Sequence, residues 1–150
     1  MYYGEKFNAL THLVGAVLAL VGTIVLIVLA GQTGDPWKVV SFSIYGVTLV
    51  LLYSFSAAYH SFRGRAKTIL RKLDHHSIYL LIAGSYTPSF LVPLRRPWGW
   101  PRLGLVWWLA GPGRLLERTL QPGAQPRPCP RLSRVVAVAV WALVPLRTWR

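Results

Sequence analysis

A few polar side chains lie inside or beside otherwise apolar stretches of the chain, and these residues could carry chemistry. Ser56 and His60 stand four residues apart, so they share one face if their segment is helical. His12 and Asp74 belong to two further apolar stretches. Imidazole and carboxylate are ligands that zinc accepts, and a zinc site needs three or four ligands. The residue types are therefore compatible with a metal site. The alternatives are histidines that only form hydrogen bonds with their neighbours and an Asp74 that caps the N-terminus of its helix.

Long uncharged runs predict the elements that position these side chains. The runs cover residues 7–34, 39–59 and 77–94. A bilayer core needs about 20 mainly apolar residues for each spanning helix. We therefore predict an all-α, multi-pass transmembrane bundle with helices at about 9–30, 39–60 and 74–94. The alternative of helices buried in a soluble protein is disfavoured, because 150 residues cannot wrap three such helices in polar layers.

The overall composition agrees with a membrane protein. The chain has 17 Lys and Arg against 4 Asp and Glu, a net charge of +13, yet only 14% of its residues are charged and 53% are hydrophobic. A soluble domain usually has about 25% charged residues, and a disordered chain has low hydrophobicity. A pI near 11 is typical of nucleic-acid binding. We predict no nucleic-acid partner, because the cations are concentrated between spanning segments and in the C-terminal third.

One basic loop, residues 61–72, predicts the orientation of the bundle. It contains five cations: Arg63, Arg65, Lys67, Arg71 and Lys72. The positive-inside rule places this loop and, two crossings earlier, the N-terminus in the cytoplasm of a cell-membrane protein. His12, His60 and Asp74 then lie at one depth on three helices. The predicted partners are the bilayer and anionic lipid at the Arg63–Lys72 loop. The alternative explanation for the basic loop is a patch that binds DNA or lipid and does not determine the orientation of the bundle. The oligomeric state stays open.

The composition changes in the last third of the chain. Ten arginines and no lysine follow Lys72, and ten of the eleven prolines lie at or beyond Pro88. The sequence leaves open whether a fourth helix forms at about 103–120. A fifth helix at about 133–147 is only weakly indicated, because its apolar part, residues 135–146, is too short to span a bilayer. We predict a transmembrane domain over residues 1–112 and a divergent Arg/Pro-rich tail over 113–150. A truncation or frameshift would produce such a tail; a genuine basic tail is the alternative.

The chain resembles the hemolysin III family, whose members are bacterial relatives of the progestin and adipoQ receptors. The resemblance covers about residues 4–100 and fades beyond them. It rests on EKFNALTH (5–12), SFSAAYHS (54–61), RKLDHHSIYLLIAGSYTP (71–88) and VPLRRPWGW (92–100). It implies a seven-helix membrane protein with a cytoplasmic N-terminus, of which this chain would be an incomplete form.

The resemblance also implies a zinc site near the cytoplasmic face. His60 matches a zinc ligand of the family, and Ser56 and Asp74 match the Ser and Asp that lie close to the metal or its bound water. Asp74 would orient that water or act as general base. The other two ligands are a histidine pair, four residues apart, on the last helix. This sequence has no histidine after His76, so the implied ligand set is incomplete; His12 could replace a ligand only by rearrangement.

Three function classes follow. The first is an integral membrane protein of hemolysin III type with a cytolytic, membrane-permeabilising role, in a truncated form. The second is a zinc-dependent membrane hydrolase of lipid amides, an enzyme for which this sequence supplies only part of the ligand set. The third is an inactive truncated product.

Overall fold

The computed structural model describes residues 4–93 and 99–111, which form four α-helices and no strand. The helices are α1 (Lys6–Gln32), α2 (Pro36–Ser61), α3 (Gly64–Leu91) and α4 (Gly99–Ala110). The predicted all-α class and the partial helix bundle are confirmed. The end of the predicted fourth helix, the predicted fifth helix at 133–147 and most of the predicted tail at 113–150 lie outside the described residues.

The turn between α1 and α2 follows from its sequence. Gly34 has a φ of +68°, a conformation that glycine adopts without strain. Asp35 is the N-cap of α2, and its side chain accepts a hydrogen bond of 3.0 Å from the backbone N–H of Trp37. Pro36 occupies the first helical position, where its missing N–H is not needed. These residues reverse the chain, so that α1 and α2 pack side by side.

The third helix begins ten residues before the predicted position of about 74. Only Phe62 and Arg63 separate α2 from α3, and Gly64 opens α3 with a φ of +65°. The predicted basic loop at 61–72 is therefore mostly helical, because no proline or further glycine interrupts this segment. Asp74 lies inside α3, so the alternative N-cap role for this residue is wrong. The 28-residue helix is about 42 Å long, whereas a bilayer core is about 30 Å thick.

The four helices form an open row. Each helix packs against the next one in chain order, and within residues 4–93 and 99–111 no other pair of helices packs backbone against backbone. In particular, α1 and α4 do not meet. A side-chain contact joins the start of α2 to the start of α4, where the rings of Trp37 and Trp100 lie 5.6 Å apart, edge to face. Within the part of the chain that the structure describes, the row therefore has two open edges, one along α1 and one along α4.

Neighbouring helices pack closely where a threonine of one helix lies against a glycine of the next. A Cβ at Gly46 of α2 would overlap the side chain of Thr23 on α1, and a Cβ at Gly84 of α3 would overlap Thr48 on α2. Both threonines are buried and donate their hydroxyl hydrogens to carbonyls of their own helices. Small residues of this kind let membrane helices approach closely.

The junction of α3 and α4 holds the hydrophobic core of the described residues. Thr87 is buried, and its hydroxyl accepts a hydrogen bond of 3.1 Å from the indole N–H of Trp107. The core consists of Ala83, Phe90, Val106 and Ala110. The short helix α4 is therefore held by both a polar and an apolar contact.

The first two helices have the length and the hydropathy of membrane-spanning helices. Among the described helices, α1 with 27 residues and α2 with 26 are long and apolar enough to cross a membrane. Along α1, large apolar side chains remain exposed on most of the circumference. They include Leu13, Val14, Val17, Leu18, Leu20, Val21, Ile24, Val25, Val28 and Leu29. A helix that is apolar all round needs an apolar surrounding, which lipid provides.

Candidate functional site at the basic end

Most of the charged and histidine side chains of the described helices lie where α1 begins, α2 ends and α3 begins, which we call the basic end. Glu5, the residue before α1, lies at its centre. Lys67 of α3 donates hydrogen bonds of 2.9 and 2.7 Å to the two carboxylate oxygens of Glu5. The Nδ1 atom of His60, on the last turn of α2, lies 3.3 Å from one of these oxygens. One carboxylate thus ties three helix ends together.

The surroundings of Glu5 favour its charged form. The hydrogen bond from Lys67 is the largest cause that lowers the pKa of the Glu5 carboxyl below its ordinary value. Partial removal from water opposes this shift, and the hydrogen bond with His60 adds to the lowering. Glu5 is therefore held as a carboxylate and acts as an acceptor for both neighbours.

Aromatic and imidazole rings surround this ion pair. The ring centroids of His12 and His60 lie 5.5 Å apart, and those of Tyr59 and His60 lie 4.8 Å apart. The Lys67 ammonium lies 5.1 Å from the centre of the Tyr59 ring, within the range of a cation–π interaction. The Nδ1 atom of His12 is buried, and within the described part of the chain it has no hydrogen-bond partner. His12 and His60 therefore lie in contact with each other, and His60 also contacts the Tyr59 ring and the Glu5 carboxylate.

The structure brings some of the predicted site residues together. The rings of His12 and His60 meet, as predicted. Asp74, the third residue predicted at this depth, has no hydrogen bond or ring contact with either of them among the described residues. Ser56 is buried on α2, one helical turn before His60. Asp74 is half-buried on α3, and one of its carboxylate oxygens lies 3.9 Å from the Nδ1 atom of His75. The assignment of Ser56, His60 and Asp74 to a metal or catalytic site stays a prediction.

The pair of Glu5 and Lys67 was not predicted from the sequence. These residues are 62 positions apart, and no spacing rule connects them. A signal was nonetheless available, because Glu5 is one of only four acids in a chain of charge +13, and it opens the first of the matching stretches. A scarce acid at the predicted depth of a basic segment is a natural counter-ion.

The described residues do not by themselves assemble the zinc site that the resemblance implies. Within residues 4–93 and 99–111, no three His, Cys, Asp or Glu side chains are placed to share a metal ion. The sequence also has no histidine after His76, so the histidine pair of the implied ligand set is absent from it.

The fold and the basic end define a class of protein: a multi-pass membrane helix protein with most of its charged and histidine side chains at one end of the bundle. Comparison with known proteins identifies the family. The chain matches the family model described as "Haemolysin-III related" over residues 2–149 and belongs to that family.

Two curated relatives from Bacillus are similar to this chain. It is 46% identical over 107 residues to "Hemolysin-3" of Bacillus cereus, an alignment that covers 71% of this chain and 49% of the relative. It is 44% identical over 107 residues to "Hemolysin-3 homolog" of Bacillus subtilis (strain 168), covering 71% of this chain and 50% of the relative. The chain thus spans about half the length of these relatives. No solved structure matches it.

A first prediction concerns the pH dependence of the Glu5 contacts. Because the folded-state pKa of Glu5 is lowered, its stabilising effect is fully present above its ordinary pKa of 4.5 and is lost as the pH falls toward the lowered value. Glu5→Gln should therefore destabilise the protein at neutral pH, and the difference from wild type should vanish at acidic pH. Chemical unfolding in detergent, followed by circular dichroism across this pH range, measures the difference. A difference between the two proteins that does not change with pH would contradict the prediction.

Proposed function

We propose that this chain acts in the membrane as a permeabilising protein of the hemolysin III type. The support comes from the names of its relatives, "Hemolysin-3" and "Hemolysin-3 homolog", together with its helical membrane fold. Residues that would hold a catalytic metal are not assembled among those that the structure describes. Permeabilisation needs no such centre, because apolar helices alone can associate and disturb a bilayer.

The observation that carries this proposal is the open row of helices. A row whose two ends do not meet leaves the outer faces of α1 and α4 to lipid or to another helix. Along α1 the exposed side chains are large and apolar, and the open end of α4 exposes Trp108. Edges of this kind allow copies of the chain to associate laterally in the membrane. Lateral association of several copies is the step that would open a path for solutes.

The second prediction tests this proposal by dye release from liposomes. The full chain, reconstituted into liposomes loaded with a fluorescent dye, should release the dye in a concentration-dependent way. His60→Ala and Asp74→Ala should release dye like wild type, because neither residue forms part of the helix edges. Circular dichroism checks that each variant is folded. Dye release that disappears in both folded variants would contradict permeabilisation and favour a chemical role for these two residues.

The zinc-dependent hydrolase of lipid amides is a separate proposal with one observation in its favour. Histidines that bind zinc commonly give their second ring nitrogen to a carboxylate, and the Nδ1 atom of His60 contacts Glu5 in this way. The test is the zinc content of the purified full chain. A stoichiometry near zero would exclude zinc chemistry, whereas stoichiometric zinc that is lost in His60→Ala would favour it.

The inactive product is the third outcome that these experiments separate. A chain that does not accumulate in membranes, and neither releases dye nor binds zinc, would support it. Sequencing of the gene region that encodes residues beyond 100 would show whether a shifted reading frame contains two histidines four residues apart.

A further inference from the structure

The first turns of α3 have two chemically different faces. Lys67, Leu70 and Asp74 are spaced by three and four residues, so they share one face, and all three are half-buried toward the bundle. Arg65, Ile69 and Lys72 are spaced by four and three residues and share the opposite face. All three of these residues are exposed. We call Arg65, Ile69 and Lys72 the outer face of α3.

The outer face combines cations with an exposed apolar side chain. Ile69 is 61% exposed, and Phe62, just before α3, is 55% exposed. An isoleucine between two cations is unfavourable in plain water. It is well placed at a membrane surface, where the apolar side chain enters the acyl boundary and the long cationic side chains reach back to the headgroups.

The charge distribution at this end favours an anionic partner. No Asp or Glu occurs between residues 36 and 73, so the neighbouring sequence supplies no carboxylate to the outer face. Glu5, whose carboxylate does reach the basic end, binds Lys67 on the inward face of the same helix. The inward cation is therefore neutralised inside the protein, while the two outward cations point toward the surroundings.

The position of the outer face selects a lipid as that partner. The cations of α3 all lie between Gly64 and Lys72, whereas its later part, residues 77–91, is uncharged. Because charged side chains are costly in hydrocarbon, the first turns of α3 belong outside the apolar layer, on the side of the basic end. That depth corresponds to the lipid headgroups. We infer that the outer face of α3 is a docking surface for the phosphate groups of anionic phospholipids, with Arg65 and Lys72 on the phosphates and Ile69 between the acyl chains.

The third prediction tests this surface with the full chain in a neutral detergent. Phosphatidylglycerol is titrated against the protein, and the bound lipid is counted by native mass spectrometry. A cation near the membrane surface contributes about 1 kcal/mol to anionic lipid binding, so Arg65→Gln/Lys72→Gln should weaken binding by roughly tenfold or more. Ile69→Ser should weaken it less, and phosphatidylcholine should bind all these proteins alike.

A matched control separates a site from simple charge. Arg63→Gln/Arg71→Gln removes the same charge from the same segment but leaves the outer face intact, so it should retain most of the binding. Equal weakening by the two double variants, or no weakening by Arg65→Gln/Lys72→Gln, would overturn the inference. Dye release from liposomes of phosphatidylcholine alone, measured on the same variants, tests permeabilisation independently of this surface.

Discussion

Gly46→Leu should separate α1 from α2 and destabilise the bundle by about 3 kcal/mol, the upper part of the usual range for overpacking. The added side chain would begin inside the space that Thr23 occupies. Thr23 has no easy way to move, because it is 7% exposed and its hydroxyl donates a hydrogen bond of 2.6 Å to the carbonyl of Ala19. The two backbones must therefore move apart, and the contacts along their whole interface weaken.

Unfolding in mixed micelles, followed by circular dichroism, measures this loss. Gly22→Leu is the matched control, because it makes the same change on α1 at a site where nothing described lies within 4 Å of the new Cβ. It should leave the stability near wild type. Combining Gly46→Ala with Thr23→Ala should recover part of the loss that Gly46→Ala causes alone. Equal destabilisation by the two Leu variants would show that helix propensity, and not close packing, sets the effect.

Phe90→Ala should have the second large effect, by opening a cavity where α3 meets α4. Phe90 is completely buried beside Ala83, Val106 and Ala110, and its ring stacks on Tyr86 at 5.9 Å. In soluble cores Phe→Ala costs roughly 3–5 kcal/mol, part of which comes from transfer out of water. Lipid is as apolar as the side chain, so only the packing part remains, and we expect about 2–3 kcal/mol.

The same unfolding measurement tests this expectation, with Phe7→Ala as control. Phe7 is 76% exposed near the start of α1, so its truncation leaves no cavity and should change the stability little. Because α4 is held mainly by this junction, Phe90→Ala should also expose the α4 tryptophans, which a shift in their fluorescence would report. An unchanged unfolding curve for Phe90→Ala would mean that the core at α3 and α4 does not stabilise the protein.

The extent to which the sequence predicts this fold depends on what hydropathy measures. The uncharged runs placed α1 and α2 within a few residues, because these helices end close to the limits of their apolar segments. The same rule missed the beginning of α3, since hydropathy reports the part of a helix that fits the hydrocarbon and not the part that extends past it. The helix-forming residues between Arg65 and Lys72 indicated that extension.

The site was predictable only where local spacing along one helix, or the predicted order of the crossings, determines which residues lie together. Local spacing put Ser56 and His60 on one face, and the predicted crossings placed His12 near His60. The partners of Glu5 depend on how three helix ends come together in space, and no local pattern contains that information. Lys67 faces inward, away from Arg65 and Lys72, because α3 begins at Gly64, ten residues before the predicted start.

The open row has a consequence for how such a protein is made. Because each described helix contacts the helix that precedes it in the chain, every new segment finds its neighbour already in place when synthesis delivers it. Assembly in the order of translation then needs no long search and no rearrangement of earlier segments. A nascent chain that pauses after any of these helices would hold an arrangement that is already packed, and later segments would add to its free edge.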